Sequence, residues 1–327
     1  MSEFDTILIT GGTGQDAQIM LDRLATTRFK IVCTFSNAID LNSLSRKAET
    51  RITYENLDIR DTSRFMEIIK RYEPKVIYNF AGRSSVRDSY KFPTEYMETN
   101  AYSVERILLS LHTSGYFKHC RFYQASSSEI FDPYEMEARN ETSAKNPTSP
   151  YGKSKLYSHN LAQFYREQYG YFVSSGITFN HESEYRSEKF LFGKVMWGLA
   201  RILNGKQSKL AIGNLNSRRD WGYAPDYIDA MLLMMFSEKP RDFVISSGKL
   251  HSVYEVIQTA YRFCDIATPL SEILIAEQVL PEYKDYTDLF GDSSQIEAAL
   301  GWKPKFDFYQ TIQRIQKSII AKSRKAD

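Results

Sequence analysis

Tyr151 and Lys155 stand four residues apart in S-P-Y-G-K-S-K, and a hydroxyl run closed by a carboxylate, Ser126-Ser127-Ser128-Glu129, lies just upstream. On a helix, positions i and i+4 share a face. Pro150 suits the first helical turn, where its missing N–H leaves nothing unsatisfied. The tyrosine hydroxyl and the lysine ammonium then project to one side. The positive charge favours the phenolate, so the tyrosine pKa is expected to fall from about 10. A phenol that releases its proton nearer neutral pH is a general base for a sugar or alcohol hydroxyl. A neighbouring serine hydroxyl can hold the reacting oxygen.

The beginning of the chain supplies a matching context. Thr6-Ile7-Leu8-Ile9-Thr10 is a short apolar run rich in β-branched residues. It passes directly into Gly11-Gly12-Thr13-Gly14-Gln15-Asp16-Ala17, after which Ile19, Met20, Leu21 and Leu24 follow a helical pattern. A strand, a glycine turn and a helix in that order form a dinucleotide-binding unit. The glycines permit a tight turn and close backbone approach to a pyrophosphate, and the helix start offers free N–H groups and a positive dipole end. The spacing is G-x-x-G-x-x-A, and Ala17 is small enough for helix–strand packing.

Strands and helices then alternate. Strands are expected at 30–34, 51–59, 75–80, 121–126 and 171–179, with a helix over 62–72 capped by Asp61, a long helix over 94–114, and the Tyr151 helix. This alternation predicts a doubly wound parallel α/β sheet, a Rossmann fold. Ligands in such sheets bind beyond the carboxyl ends of the strands. Gly11, Asp58, Ala81, Ser127 and Asn180 all fall at such ends and are expected to converge on one cleft. Beyond Asn180 the pattern loosens, with helices expected over 187–204, 225–236, 252–263 and 308–321 and short strands at 210–212 and 242–246. Residues 1–180, with roughly 214–247, are assigned to dinucleotide binding. Residues 181–213 and 248–327 are assigned to a smaller α/β substrate region.

Composition bounds the rest. A hydrophobic fraction of 42% over 327 residues supports a sizeable core, and the net charge of +2 implies no nucleic-acid or acidic-membrane partner. No run of some eighteen apolar residues suggests a membrane span, and the N-terminus lacks a signal-peptide layout. Cys33, Cys120 and Cys264 are scattered without metal-ligand spacing and read as small buried hydrophobes in a reducing compartment. A cytoplasmic protein without a metal is expected.

These residues carry a resemblance. T-G-G-T-G-Q-D at 10–16, Y-N-F-A-G-R-S-S-V at 78–86, F-Y-Q-A-S-S-S-E at 122–129, S-P-Y-G-K-S-K at 149–155, F-N-H-E-S at 179–183 and G-N-L-N-S-R-R-D-W-G at 213–222 occur in order along nearly the whole chain. Together they resemble the extended short-chain dehydrogenases/reductases, and within these the GDP-mannose 4,6-dehydratase family. The resemblance implies Ser127 (where the family has threonine), Glu129, Tyr151 and Lys155 as catalytic residues. It implies cofactor contacts at Gly11, Gly12, Thr13, Gly14, Gln15, Asp16, Asp58, Ile59, Phe80, Ala81, Gly82, Arg83, Ser84, Tyr96, His181 and Arg186, besides Tyr151 and Lys155. Substrate contacts are implied at Ser85, Asn180, Glu182, Lys194 and Arg219. Lys284 and Asp285 stand in for a family R-P-x-E-V-D segment that is Pro281-Glu282-Tyr283-Lys284-Asp285-Tyr286 in this chain.

The implied cofactor is NADP, with NAD as the alternative, because the arginine pair usual after the second strand is replaced by Ser36 and Asn37. The implied reaction is dehydration of a GDP-linked hexose to its 4-keto-6-deoxy form. A nucleotide-sugar 4-reductase or epimerase of the same superfamily is the alternative. The implied assembly is a homodimer or homotetramer.

Overall fold

The computed structural model describes residues 5–36, 51–277 and 288–324. Lys284, Asp285 and Asn37 therefore lie outside the described residues. The strands are β1 (Thr6–Thr10), β2 (Lys30–Phe35), β3 (Ile52–Asn56), β4 (Val76–Asn79), β5 (Arg121–Ala125), β6 (Val173–Thr178), β7 (Asn180–Glu182), β8 (Leu210–Ile212), β9 (Arg218–Tyr223), β10 (Phe243–Ile245), β11 (Leu250–Ser252) and β12 (Leu274–Ala276). The helices are α1 (Gln15–Leu24), α2 (Thr62–Tyr72), α3 (Val86–Lys91), α4 (Pro93–Met97), α5 (Ser103–Thr113), α6 (Pro150–Tyr169), α7 (Leu191–Leu203), α8 (Ala224–Phe236), α9 (Val253–Arg262), α10 (Leu270–Ile273), α11 (Ser294–Leu300) and α12 (Phe308–Ser323).

Seven strands form one parallel sheet in the order β10-β6-β5-β4-β1-β2-β3. Because successive side chains in a strand point to opposite faces, Ile7, Ile9, Tyr78 and Tyr123 pack with α1 and α8 on one side, while Leu8, Ile77 and Phe122 pack with α2, α5 and α6 on the other. Burial on both faces explains the near-continuous apolar runs. Strand order reverses between β1 and β4, which opens a crevice at their carboxyl ends. A chain of side chains braces this edge: Thr10 Oγ1 donates to Asn79 Oδ1 (2.8 Å), and Asn79 Nδ2 donates to Gln124 Oε1 (2.9 Å).

Two small sheets, β11-β9-β7 and β12-β8, lie beyond this edge. Their core gathers Phe192, Trp221, Ile257 and Ile312 from α7, β9, α9 and α12.

Two expected helices differ. The single helix over 94–114 is interrupted: α4 gives way to a π-helical turn at Glu98–Tyr102 before α5 begins. Such a turn inserts one residue and shifts the phase of the apolar pattern between α4 and α5 while the period within each helix stays the same, so the period alone does not reveal it. The helix expected from residue 187 starts only at Leu191. The carbonyls of Arg186 and Ser187 fold back against Gly193, where a Cβ would lie 2.4 Å from the Ser187 oxygen.

Candidate active site

A cleft of about 860 Å³ runs along the carboxyl edge of the large sheet and under α7, β8 and β12. Its middle is built by the turn after β5 and the start of α6. Ser149 Oγ caps α6 by accepting from Gly152 N (2.9 Å), and Pro150 occupies the first turn. Gly152 has no side chain, so the helix start seats directly on the Glu129 carbonyl, which would lie 2.3 Å from an added Cβ. That seat brings Tyr151 beside Ser127 and Glu129, and all three line the cleft with Lys155. Lys155 Nζ lies 6.0 Å from the Tyr151 ring centroid and donates to Ala125 O (2.9 Å).

The expected fall in the Tyr151 pKa is not found. Burial drives the phenol above its ordinary value, the Ser127 hydroxyl bonded to it opposes this, and the Glu129 charge adds to the rise. Burial also lowers the Lys155 ammonium to about 8, against a smaller opposing pull from Asp16. Desolvation of both groups thus outweighs the mutual effect that i,i+4 spacing suggested.

The side of the cleft toward β1 has the form of a dinucleotide cradle. Gly11 adopts φ +72°, and a Cβ there would meet the Ala81 backbone at 2.8 Å. Gly12 lies below the surface, where a Cβ would meet Cys33 Sγ at 2.3 Å. The first turn of α1 has no side-chain cap, leaving its N–H groups for an anion. Thr13, Gly14, Gln15, Asp16, Asp58, Ile59, Phe80, Ala81, Gly82, Arg83 and Ser84 line the same wall. These features fit a nicotinamide dinucleotide. The Asp58 carboxylate is gripped by Arg60 (2.6 Å), which holds it below its usual pKa. Tyr96 is buried off the cleft wall, edge-on behind Tyr151 with ring centroids 6.2 Å apart.

Asp16 links this cradle to β7. His181 Nε2 lies 3.0 Å from Asp16 Oδ1, and its Nδ1 lies 2.7 Å from Phe179 O. With acceptors at both ring nitrogens, the imidazolium is favoured; burial opposes it, but the Asp16 charge prevails and the His181 pKa is raised. Gln15 Nε2 donates to His181 O (2.9 Å) and Ser183 Oγ donates to Gln15 Oε1 (2.8 Å). Arg186 pairs with buried Glu182 (2.9 Å). Ser85, Asn180, Glu182, Lys194 and Arg219 also line the cleft. Ser85 also caps α3, its hydroxyl accepting from Asp88 N (3.1 Å).

The model of the family described as GDP-mannose 4,6 dehydratase matches residues 8–315. The chain belongs to the GDP-mannose 4,6-dehydratase family. A GDP-mannose 4,6 dehydratase from Drosophila melanogaster is 32% identical, the match covering 97% of this chain and 87% of the relative. One from Vibrio cholerae is 30% identical, over 94% and 91%. Among solved structures, a dTDP-glucose 4,6-dehydratase from Streptomyces venezuelae shares the fold with a TM-score of 0.84 at 20% identity, over 98% of both chains. A UDP-glucose 4-epimerase from Thermotoga maritima does so with a TM-score of 0.81 at 19% identity, over 98% of this chain and 99% of that one.

Within this GDP-mannose 4,6-dehydratase family member, the structure adds residues that sequence reasoning missed. Asn100, turned inward by the π-helical turn, accepts from Arg83 N (2.8 Å) and donates to Arg83 O (2.9 Å) and Ser154 Oγ (3.1 Å). It ties the Gly82–Arg83 wall to α6. No motif marked it, because its role depends on the register break. Glu277 and Arg60 also line the cleft. Neither falls in a motif; Glu277 directly follows β12, and Arg60 lies in the turn just before α2.

Proposed function

We propose that the chain is a hydro-lyase, a nucleotide-sugar 4,6-dehydratase acting on a GDP-linked hexose of the mannose type with NADP. The observation that carries this reading is that Tyr151, Ser127 and Glu129 line one cleft that continues into the glycine cradle, which in this reading supplies two proton-transfer groups, Tyr151 and Glu129. Simple oxidation or reduction at one carbon needs only the first.

In this reading Ser127 and Tyr151 hold the C4 hydroxyl, and Tyr151, once ionised beside the Lys155 ammonium, takes its proton as C4 is oxidised and then releases it to solvent. A nicotinamide dinucleotide held by the glycine cradle would supply the hydride acceptor for C4 and the hydride donor for C6. The ketone acidifies C5–H, Glu129 removes that proton and passes it to the C6 hydroxyl, which leaves as water, and C5 takes up a proton from solvent as hydride reaches C6. Lys155 anchors the cleft floor through Ala125 O and keeps a positive charge beside the phenol. Gly11 to Asp16, with Gly82 to Ser84, hold the dinucleotide. Asp16, His181 and Arg186 join its binding wall to the sugar side. Asn180 and Arg219 face the substrate diphosphate.

NADP is favoured over NAD only modestly. Ser36 at the end of β2 lines the cleft without charge, and neutral hydrogen bonds are about half as strong as charge-assisted ones. Dissociation constants for the two cofactors test this; a preference of several hundredfold would contradict it. The dinucleotide region comprises residues 1–180 with roughly 214–247, supported by α8 and β10 packing on the large sheet. The substrate region is the remainder. Leu109, Phe164 and Tyr169, exposed on α5 and α6, supply an apolar surface for a homodimer or homotetramer. Three buried free cysteines suit a cytoplasmic setting.

The test is incubation with GDP-, CDP-, UDP- and dTDP-hexoses followed by mass spectrometry. Loss of one water from the GDP sugar, without lasting change at the nicotinamide absorbance band, is expected. Stoichiometric consumption of reduced cofactor would favour a reductase, and an unchanged mass with altered sugar stereochemistry an epimerase.

A further inference from the structure

We infer that Glu277, together with Lys194, determines base specificity by pairing with the hydrogen-bonding edge of guanine. This rests on the nucleotide-sugar reading above and assigns the base-reading groups. Glu277 follows β12, and its backbone N–H donates to Ile212 O (2.9 Å), so the β8–β12 ladder fixes its position. Lys194 lies in the first turn of α7. The Lys194 Nζ and Glu277 Oε2 atoms are 2.6 Å apart, and each side chain is about one-third exposed (33% and 36%). Both face the cleft on the wall built by α7 and β8, elements that contribute nothing to the glycine cradle.

The rest of that wall suits a nucleotide. Lys189 and Arg219 bring positive charge for a diphosphate, and Leu191, Ile212 and Val253 bring apolar surface for the faces of a base. A carboxylate is an unfavourable neighbour for a diphosphate, so it needs a purpose there. Stability does not supply one, since a partly exposed ion pair contributes little. The pair does present one donor beside two acceptor oxygens. The hydrogen-bonding edge of guanine carries the complement: the O6 acceptor, then the N1–H and N2–H donors.

Other bases fit worse. Adenine sets its exocyclic amino donor against the ammonium. Cytosine does the same and also sets a ring acceptor against the carboxylate. Uracil and thymine match the first two positions but place a second carbonyl oxygen against the second carboxylate oxygen. A site built to bond a donor rejects ligands lacking it, because its own groups are left unpaired. Lys194, implied from sequence as a substrate contact, thereby serves the base.

The experiment measures dissociation constants of GDP, IDP, UDP and CDP for the wild-type chain, Glu277→Gln and Glu277→Ala. IDP lacks only the N2 amino group. One lost hydrogen bond to a charged group corresponds to roughly ten- to hundredfold in affinity. The wild-type chain is therefore expected to prefer GDP over IDP by at least about tenfold. Both variants should bring the two ligands within about threefold, with UDP changed by less than that. A wild-type chain that binds GDP and IDP equally would overturn the inference, and this comparison needs no variant to fold. It is also overturned if both variants keep the preference, or if all four ligands weaken alike. Because binding is read without turnover, the dehydratase reading can fail in the mass-spectrometric test while this result stands, and the reverse.

Discussion

Gly152→Ala tests how the helix start positions the chemistry. An added Cβ would sit 2.3 Å from the Glu129 carbonyl oxygen, 2.8 Å from Pro147 Cβ and 3.1 Å from Ser149 Oγ. The first neighbour is backbone, so a flexible side chain cannot swing away to relieve the contact. To reach the 3.0 Å that real Cβ contacts respect, the 127–130 turn and α6 must separate by roughly 0.7 Å. Overpacking of this kind costs about 1–3 kcal/mol, and the better helix propensity of alanine returns up to ~1 kcal/mol. A net destabilisation of about 1–2 kcal/mol is expected, read as a lower urea midpoint at unchanged slope. The same shift moves Glu129 and Ser127 relative to Tyr151. Since a 1 Å misplacement can cost on the order of a hundredfold, kcat should fall roughly ten- to a hundredfold. Cofactor affinity should stay near the wild-type value, because the glycine cradle is untouched. Wild-type stability together with wild-type kcat would refute the claim that this backbone contact sets the geometry.

Tyr151→Phe keeps the ring that packs against Tyr96 but removes the proton acceptor, so turnover should drop about a hundred- to ten-thousandfold with cofactor binding retained; near-normal turnover would remove Tyr151 from the mechanism. Burial lowers Lys155 to about 8 from its ordinary value of 10.5, so between those values this side chain binds more protons in the unfolded chain and its own contribution to stability rises with pH. Over the same window kcat/KM should fall as the ammonium is lost. Burial pushes the Cys33 and Cys120 thiols up to about 12, which pulls stability the other way, so the reading is the difference in stability between the wild-type chain and Lys155→Met, which should rise with pH over this window; a difference independent of pH would show that Lys155 does not titrate there. Asp16→Asn removes the charge that raises His181, so the imidazole titration followed by NMR should move to lower pH; an unmoved titration would contradict the coupling between α1 and β7.

Much of this was legible along the chain because it depends on local chemistry. The run Thr6–Thr10 into Gly11 requires a strand and a turn that a side chain would block, and the structure shows both. Asp61 caps α2 as its type and place suggest, accepting from Arg64 N. Nearly every candidate site residue within the described segments lines one cleft, because residues at strand ends meet at the edge of a parallel sheet. What remained hidden depends on three-dimensional register or burial. The inward turn of Asn100 follows from a π-helical turn that shifts the phase of the hydrophobic pattern between two helices of ordinary period. The spacing of Tyr151 and Lys155 suggested their shared face but not their burial, which reverses the expected shift of the tyrosine. The meeting of Lys194 and Glu277 joins residues from two separate elements, and no local pattern announces it.

The central claim is that Glu129 moves the C5 proton while Tyr151 moves the C4 proton. Glu129→Gln keeps the size and shape of the side chain and removes its basicity. The direct measurement is single-turnover reaction of this variant with the GDP-hexose in deuterated water, following nicotinamide absorbance and deuterium at C5. Reduced nicotinamide should accumulate on the enzyme, with C5 unlabelled and little 4-keto-6-deoxy product formed. Dehydration at the wild-type rate with normal C5 exchange would contradict the assignment.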